Sequence, residues 1–302
     1  MDAQDTASPQ LEDHYLTLGT DTLYMRRFKG SPAGPVLFML HGSIENGRIF
    51  YSKSGKGLAP WLAKRGFDVF VCDLRGKGNS TPPTRRGSPY GLMDAIKQEV
   101  PALLDYINTQ RPLSPVHWVA HSWGGVMLLS LMARFSDIKP ASAVFFGTKR
   151  QIKIFSWKKF FHVDILYTIG AALVKRWYGY LPARKMKFGS DNESSKLHRE
   201  TRRWVQGPWV DFDDGFDYTA AIRKVSLPPI MHIAAINDEY LGHPHDVRRL
   251  VEEVGPHPHE FMLLSRDNGN RHDYDHINML THPDAAHDHF PEVEEWLRRH
   301  SG

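Results

Sequence analysis

Residues 119–125 read Val-Ala-His-Ser-Trp-Gly-Gly, which sets Ser122 between an apolar approach and two glycines. The approach, Val116-His117-Trp118-Val119-Ala120, has the composition of a short buried strand. The next apolar run, Val126-Met127-Leu128-Leu129-Ser130-Leu131-Met132, has that of a buried helix. No loop residues separate the two. A chain that leaves a central strand and enters a helix at once must turn sharply. Small residues two before and two after the serine, here Ala120 and Gly124, relieve the crowding such a turn creates. The stretch therefore predicts a strand–serine–helix unit with the hydroxyl at its apex.

Outward from this unit, the apolar runs at 36–40, 67–72, 116–120, 141–147, 229–236 and 260–264 are continuous rather than alternating, as in strands buried on both faces. Helical patterns fall between most of them: "GKGLAPWLAKRG", "LMDAIKQEVPALLDYINTQ", "GGVMLLSLMARF", "PHDVRRLVEEVG" and finally "FPEVEEWLRRH". Strand–helix alternation predicts an α/β fold with a mostly parallel central sheet covered by helices. Ahead of it, "HYLTLGTDTLYMRRF" alternates around Gly19-Thr20-Asp21 as a hairpin at an antiparallel edge would.

The rhythm breaks once, from Lys149 to Val225, so the core is expected at 1–148 and 226–302 with an inserted α-helical cap at 149–225. Within the insertion, "FFHVDILYTIGAALVKRWYGYL" carries Phe161, Ile165, Ile169, Leu173 and Trp177 at helical spacing, and "SSKLHRETRRWVQGPW" reads as a second, polar helix. Between Lys149 and Lys187 ten basic residues stand against one acid, Asp164. This accounts for much of the basic balance, a formal charge of +4 and a pI near 9.0. Phe160, Phe161, Leu166, Trp177 and Tyr178 are the expected roof of a substrate pocket, with the lysines placed to meet anionic lipid surfaces or substrate carboxylates. The charge is confined to this segment and no full phosphate loop is present, which argues against nucleic acid and nucleotides. The lone cysteine, Cys72, excludes an intrachain disulfide and fits a reducing compartment; with no leader or membrane-length apolar window, a cytoplasmic protein is expected.

Parallel sheets bind ligands beyond the carboxyl ends of their strands. There the chain places His41-Gly42-Ser43, then Asp73 to Ser80, the serine turn, Asn237-Asp238-Glu239 and, after the last strand, His276. A serine hydroxyl is a weak nucleophile until an imidazole takes its proton, and the imidazole needs a carboxylate to fix its tautomer. Ser122, Asp238 and His276 supply one of each, in the order used on this kind of sheet. The Ser43 and Trp123 N–H groups are the candidate oxyanion donors. His41 and His121 read as turn-stabilising hydrogen bonders. Asp275 and Glu239, beside His276 and Asp238, are alternative orienting acids, and His272 and His282 the competing imidazoles. The paired histidines lack the Glu placement of a zinc helix, so no metal is expected.

From about residue 35 onward the chain resembles the α/β-hydrolases. "LHGS" is similar to their oxyanion loop, "DLRGKGNS" to the motif after the fourth strand, "AHSWGG" to the nucleophile elbow, and "INDEY" and "DHINML" to the acid and histidine turns. The nearest likeness is to esterases and monoacylglycerol-type lipases. Ala120 stands where the usual elbow has its first glycine, and Asp275 where a glycine often precedes the histidine. The resemblance implies hydrolysis of a small-molecule ester through an acyl-enzyme, with no metal and no organic cofactor. Thioesterase, amidase or peptidase and acyltransferase chemistry share that intermediate, and a non-catalytic binding module is the alternative of another class. A serine at the elbow argues against dehalogenase or epoxide hydrolase chemistry, which needs a carboxylate nucleophile.

Overall fold

The computed structural model describes residues 9–154 and 171–301. An eight-stranded sheet runs in the order β1-β2-β4-β3-β5-β6-β9-β10. β1 (Gln10–Leu18) and β2 (Asp21–Lys29) form the expected hairpin, and β2 joins β4 (Asp68–Asp73) antiparallel. The remaining pairings are parallel, through β3 (Val36–Leu40), β5 (Val116–His121), β6 (Ala143–Phe146), β9 (Ile230–Ala235) and β10 (His259–Leu264). A separate antiparallel ribbon is made by β7 (Tyr180–Leu181) and β8 (Glu193–Ser194).

Why the strands read as unbroken apolar runs is clear from the two layers they separate. Phe38, Phe70, Trp118 and Phe145 enter one apolar cluster, while Leu37, Met39, Val69, Val71, Val119 and Val144 enter the other. Alternate side chains thus point to opposite faces and both faces are covered. Each such buried side chain contributes about 1.5–3 kcal/mol of burial free energy.

Among the described residues, helices match the predicted segments with two instructive differences; the start of the helical stretch expected from Phe160 lies outside them. The helix expected over Leu92–Gln110 is interrupted by a π-helical turn, Ala95–Glu99, before it resumes at Val100–Gln110. Pro101 has no N–H to give and its ring crowds the carbonyl of Lys97, so the helix widens by one residue just ahead of it. The polar helix expected over 194–209 forms at Ser195–Gln206, capped by the Ser194 side chain accepting from Leu197 N–H at 3.0 Å. It is amphipathic rather than simply polar. Trp204, with Trp209, Tyr218 and Ile222 beyond it, packs into the same apolar cluster as Trp118 and Phe145. The latter part of the interrupting segment is therefore bound into the layer beneath the sheet, while the helix Ala171–Tyr178 and the ribbon lie before it in the chain.

The strand order sets the site. The chain crosses from β3 to β4 on one side and then to β5 on the other, so β3 and β5 flank the point where the winding reverses, the place where α/β sheets bind ligands. The turns after β3, β5, β6 and β9 stand side by side at the carboxyl edge.

Candidate active site

Ser122 occupies the turn between β5 and the helix Trp123–Arg134, with φ of 52° and ψ of −121°. A left-handed φ is strained for a residue with a side chain and persists only where surrounding structure enforces it. Here the Ser122 N–H donates to the Phe146 carbonyl at 2.8 Å, which prolongs the β5–β6 ladder into the turn. The need for a small residue after it is steric. A Cβ on Gly124 would stand 2.5 Å from the Leu40 carbonyl oxygen and 2.8 Å from that of His41. The helix start is thereby pressed onto the end of β3, and Ala120, fully buried, fits the same crowding from the strand side.

Asp238 and His276 meet across a 38-residue separation: His276 Nδ1 donates to Asp238 Oδ2 at 2.5 Å, and both side chains are buried. Asp238 is itself held, Leu241 N–H donating to its Oδ1 at 2.9 Å. Burial pushes the Asp238 carboxyl up, but His276, the Gly242 N–H and Lys149 outweigh it and the net direction is below the usual carboxylate range. For His276 burial dominates and pulls the pKa below its ordinary value, against the raising effect of Asp238; His121 and Lys149 add to the lowering. With the proton on Nδ1, Nε2 carries the lone pair a general base needs. The ring lies against the turn after β6, since a Cβ on Gly147, whose φ is 57°, would come within 2.9 Å of its Nδ1 and Cε1. Gly147 comes directly after Phe146, the residue that accepts the Ser122 N–H, so histidine and serine flank the same turn.

The alternative partners are otherwise engaged. Asp275 accepts from the N–H groups of Ile277 and Asn278, capping the turn that carries His276. His272 pairs with Asp284 at 2.6 Å, and His282 Nδ1 accepts the Asp284 N–H at 3.1 Å. These three side chains also form the one group among the described residues whose potential metal-ligand atoms lie within 4.8 Å of one another. Their hydrogen bonds to one another already account for that proximity.

The candidate oxyanion loop is built more elaborately than its sequence suggests. Among the described residues the N–H groups of Ser43 and Trp123 have no protein acceptor, Trp123 because it opens its helix. Their neighbours are fixed. The Gly42 N–H donates to the Glu45 carboxylate, and the Ser43 hydroxyl and Ile44 N–H both reach Glu193 Oε2, the latter at 3.2 Å. Glu193 lies on β8 and is fully buried; burial pushes its carboxyl up, yet His198, Lys77 and Ser43 draw it down to about 2. His41 donates from Nδ1 to Gly42 O and accepts the Leu74 N–H at Nε2, a neutral turn-stabilising histidine.

Beside Ser43 and Trp123 lies a cavity of about 20 Å³, walled by Leu92, Ala95, Met127 and Leu197 with Lys77 and Glu99 at its polar side. That is room for only about one or two water molecules. Of the expected roof residues, Trp177 is 80% exposed on the helix Ala171–Tyr178. Tyr178 packs edge-on against Tyr180 and bonds Lys185, and neither it nor Trp177 lines that cavity. Phe160, Phe161 and Leu166 lie outside the described residues.

Sequence reasoning missed Glu45, Glu193 and Lys149. An acid three residues after the glycine of a turn is a signal for Glu45. For Glu193, 150 residues from Ser43, no local signal exists. Lys149 is buried with its ammonium 5.5 Å from the Trp123 ring centroid, and burial pushes it down to about 8.

An eight-stranded, mostly parallel sheet with a strained serine turn at its switch point and a buried acid–histidine pair beyond the later strands is the arrangement of an α/β-hydrolase. Residues 35–220 match the family model for the alpha/beta hydrolase fold, and the chain belongs to that family. It is a hydrolase by family. No curated protein matches the sequence. Solved structures with the same fold include the thioesterase domain from the curacin biosynthetic pathway (17% identity, TM-score 0.57, 96% of this chain and 99% of that one). An esterase from a Rhodococcus species matches at 16% identity and TM-score 0.56, over 97% of this chain and 99% of that one. A haloalkane dehalogenase from Bradyrhizobium elkani matches at 15% identity and TM-score 0.61, over 96% and 99%. At such identities the likeness is one of fold, and the reaction has to be argued from the site.

Proposed function

We propose that the protein hydrolyses carboxylic esters through an acyl-enzyme. The observation that carries this reading is the buried 2.5 Å bond from His276 Nδ1 to Asp238 Oδ2, which leaves Nε2 as a base beside the turn bearing Ser122. In this mechanism Ser122 Oγ attacks the ester carbonyl as His276 Nε2 takes its proton. The oxyanion is met by the Ser43 and Trp123 N–H groups, and the imidazolium gives its proton to the departing alcohol. Water, activated by the same imidazole, then releases the acid. A serine nucleophile separates this from the chemistry in the dehalogenase's name. No cofactor enters any step.

Within the same reading residues 149–225 act as the cap, and the cytoplasm is the setting that best suits a chain whose single cysteine, Cys72, is buried. Among the described residues no helix is long and apolar enough to cross a membrane. Peripheral contact with anionic lipid is favoured by the exposed Trp177, Met186 and Phe188, near in sequence to the exposed Arg176, Arg184, Lys185 and Lys187. Sedimentation with anionic but not zwitterionic vesicles tests that contact.

The enzyme is tested with chromogenic esters of increasing acyl length, alongside matched thioesters and amides, and an organophosphorus probe read by intact mass. Ester turnover with a chain-length optimum and one probe adduct on Ser122 is the expected result. Preference for thioester or amide moves the protein to those rivals, and no turnover with no adduct identifies a binding module.

A further inference from the structure

His121 is the last residue of β5 and immediately precedes Ser122. Its side chain is fully buried and both ring nitrogens are engaged. Nδ1 lies 2.7 Å from Glu45 Oε1, and Nε2 lies 2.9 Å from the main-chain carbonyl oxygen of His276. A carboxylate oxygen and a carbonyl oxygen can only accept. A neutral imidazole has one N–H, so one of the two contacts would set lone pair against lone pair. Moving the proton to Glu45 would satisfy one contact, but the same Oε1 also accepts the Gly42 N–H, which favours the carboxylate. His41 provides the contrast: it faces one acceptor and one donor, as a neutral ring requires.

We infer that His121 is a standing imidazolium whose ion pair with Glu45 ties the oxyanion loop to the turn carrying His276. It acts as a positioning residue for the proposed ester hydrolysis, and in that respect the inference rests on that function. On one side the pair fixes Gly42, whose neighbour Ser43 supplies an oxyanion N–H. On the other it fixes the backbone of His276 and hence the ring that serves Ser122. The two halves of the machinery come from residues 42 and 276, and a single charged side chain spans them.

Every charged or titratable neighbour bears on this pair. Burial opposes the His121 cation, but Glu45 above all, with the His276 carbonyl and Asp238, outweighs it, and the net direction is above the ordinary histidine range. The His276 ring lies 4.5 Å away, centroid to centroid. The charges of His41 and Lys77 also act with Glu45, and that of Lys149 acts on His276. Glu45 is held below the usual carboxylate range: burial pushes it up, but His121, His41 and the Gly42 N–H outweigh that. As pH rises far enough to remove the His121 proton, one bond becomes repulsive and both loops lose their register.

Two measurements test this. In two-bond ¹H–¹⁵N spectra of the native protein at pH 7.5, His121 should show both ring nitrogens protonated; one protonated and one bare nitrogen overturns the inference whether or not any ester is turned over. In steady-state assays, Glu45→Gln should lower kcat about 10–100-fold with KM changed less than threefold, and the alkaline fall in kcat should move to lower pH. Unchanged kcat and an unchanged alkaline limb overturn the positioning role. Absence of turnover in the native protein refutes the ester reading but leaves the spectroscopic test standing.

Discussion

Glu193 on the β7–β8 ribbon accepts a hydrogen bond from the hydroxyl of Ser43 in the proposed oxyanion loop, 150 residues away. The same carboxylate oxygen accepts the Ile44 N–H, and Ile44 has a left-handed φ of 51°. One buried acid thus holds a strained turn from outside the sheet.

Glu193→Gln keeps the shape of the side chain and removes its charge. Because the folded-state pKa of Glu193 is depressed from 4.5 to about 2, its stabilisation is present above pH 4.5 and is lost as pH falls toward 2. At roughly 1.4 kcal/mol per pH unit, this amounts to about 3 kcal/mol. Urea unfolding from pH 3 to 7 should show native stability rising through the lower part of that range, and a variant with a weaker rise and a lower midpoint at pH 7. A loosened oxyanion loop should also lower kcat about tenfold.

Ser122→Ala should lower kcat by about 10⁴-fold or more, since nucleophile and base act as a unit. The folded structure should survive, because the residue is small and its N–H bond to Phe146 does not involve the side chain. Circular dichroism and ester turnover measured on the same sample check both halves.

The acid side of the pH–rate profile should report His276. Its pKa is lowered, so the neutral base persists below pH 6.5 and kcat/KM should begin to fall only beneath that value. Asp238→Asn removes the carboxylate that sets the tautomer, and should reduce kcat by about 10⁴-fold while the backbone geometry is retained. A variant that keeps more than a tenth of native activity would mean that another acid orients the imidazole.

Much of this arrangement was legible because it is written in local pattern. The unbroken apolar runs announced strands covered on both faces. Ala120-His121-Ser122-Trp123-Gly124 announced a turn with no room for bulk, which the approach of Gly124 to Leu40 and His41 bears out. What escaped lies in pairings set by the fold. Glu45 and His121 are 76 residues apart, and their meeting depends on β3 and β5 being neighbours. The π-helical turn before Pro101 departs from a helical pattern that looks continuous in sequence. Trp204 sits in a stretch rich in arginine, and its burial depends on the apolar layer beneath the sheet reaching that far.

Lys149 poses the sharpest test of the electrostatics around His276. Its side chain is buried, with the ammonium over the Trp123 ring. Burial lowers its pKa from 10.5 to about 8, despite the opposing pull of Asp238 and Asp246. A lysine shifted down makes the folded state bind its proton less tightly than the unfolded chain does, so it destabilises the fold fully below pH 8 and ceases to do so above about pH 10.5. The penalty at pH 7 is about 3 kcal/mol. Lys149→Met should therefore raise the Tm at pH 7, with a gap over the native protein that narrows as pH rises through 8 to 10. It should also shift the acid limb of kcat/KM to higher pH, because the cation helps depress His276. A gap that does not change with pH would mean that the ammonium is solvated in the folded protein, and an unmoved acid limb would mean that it does not act on the base.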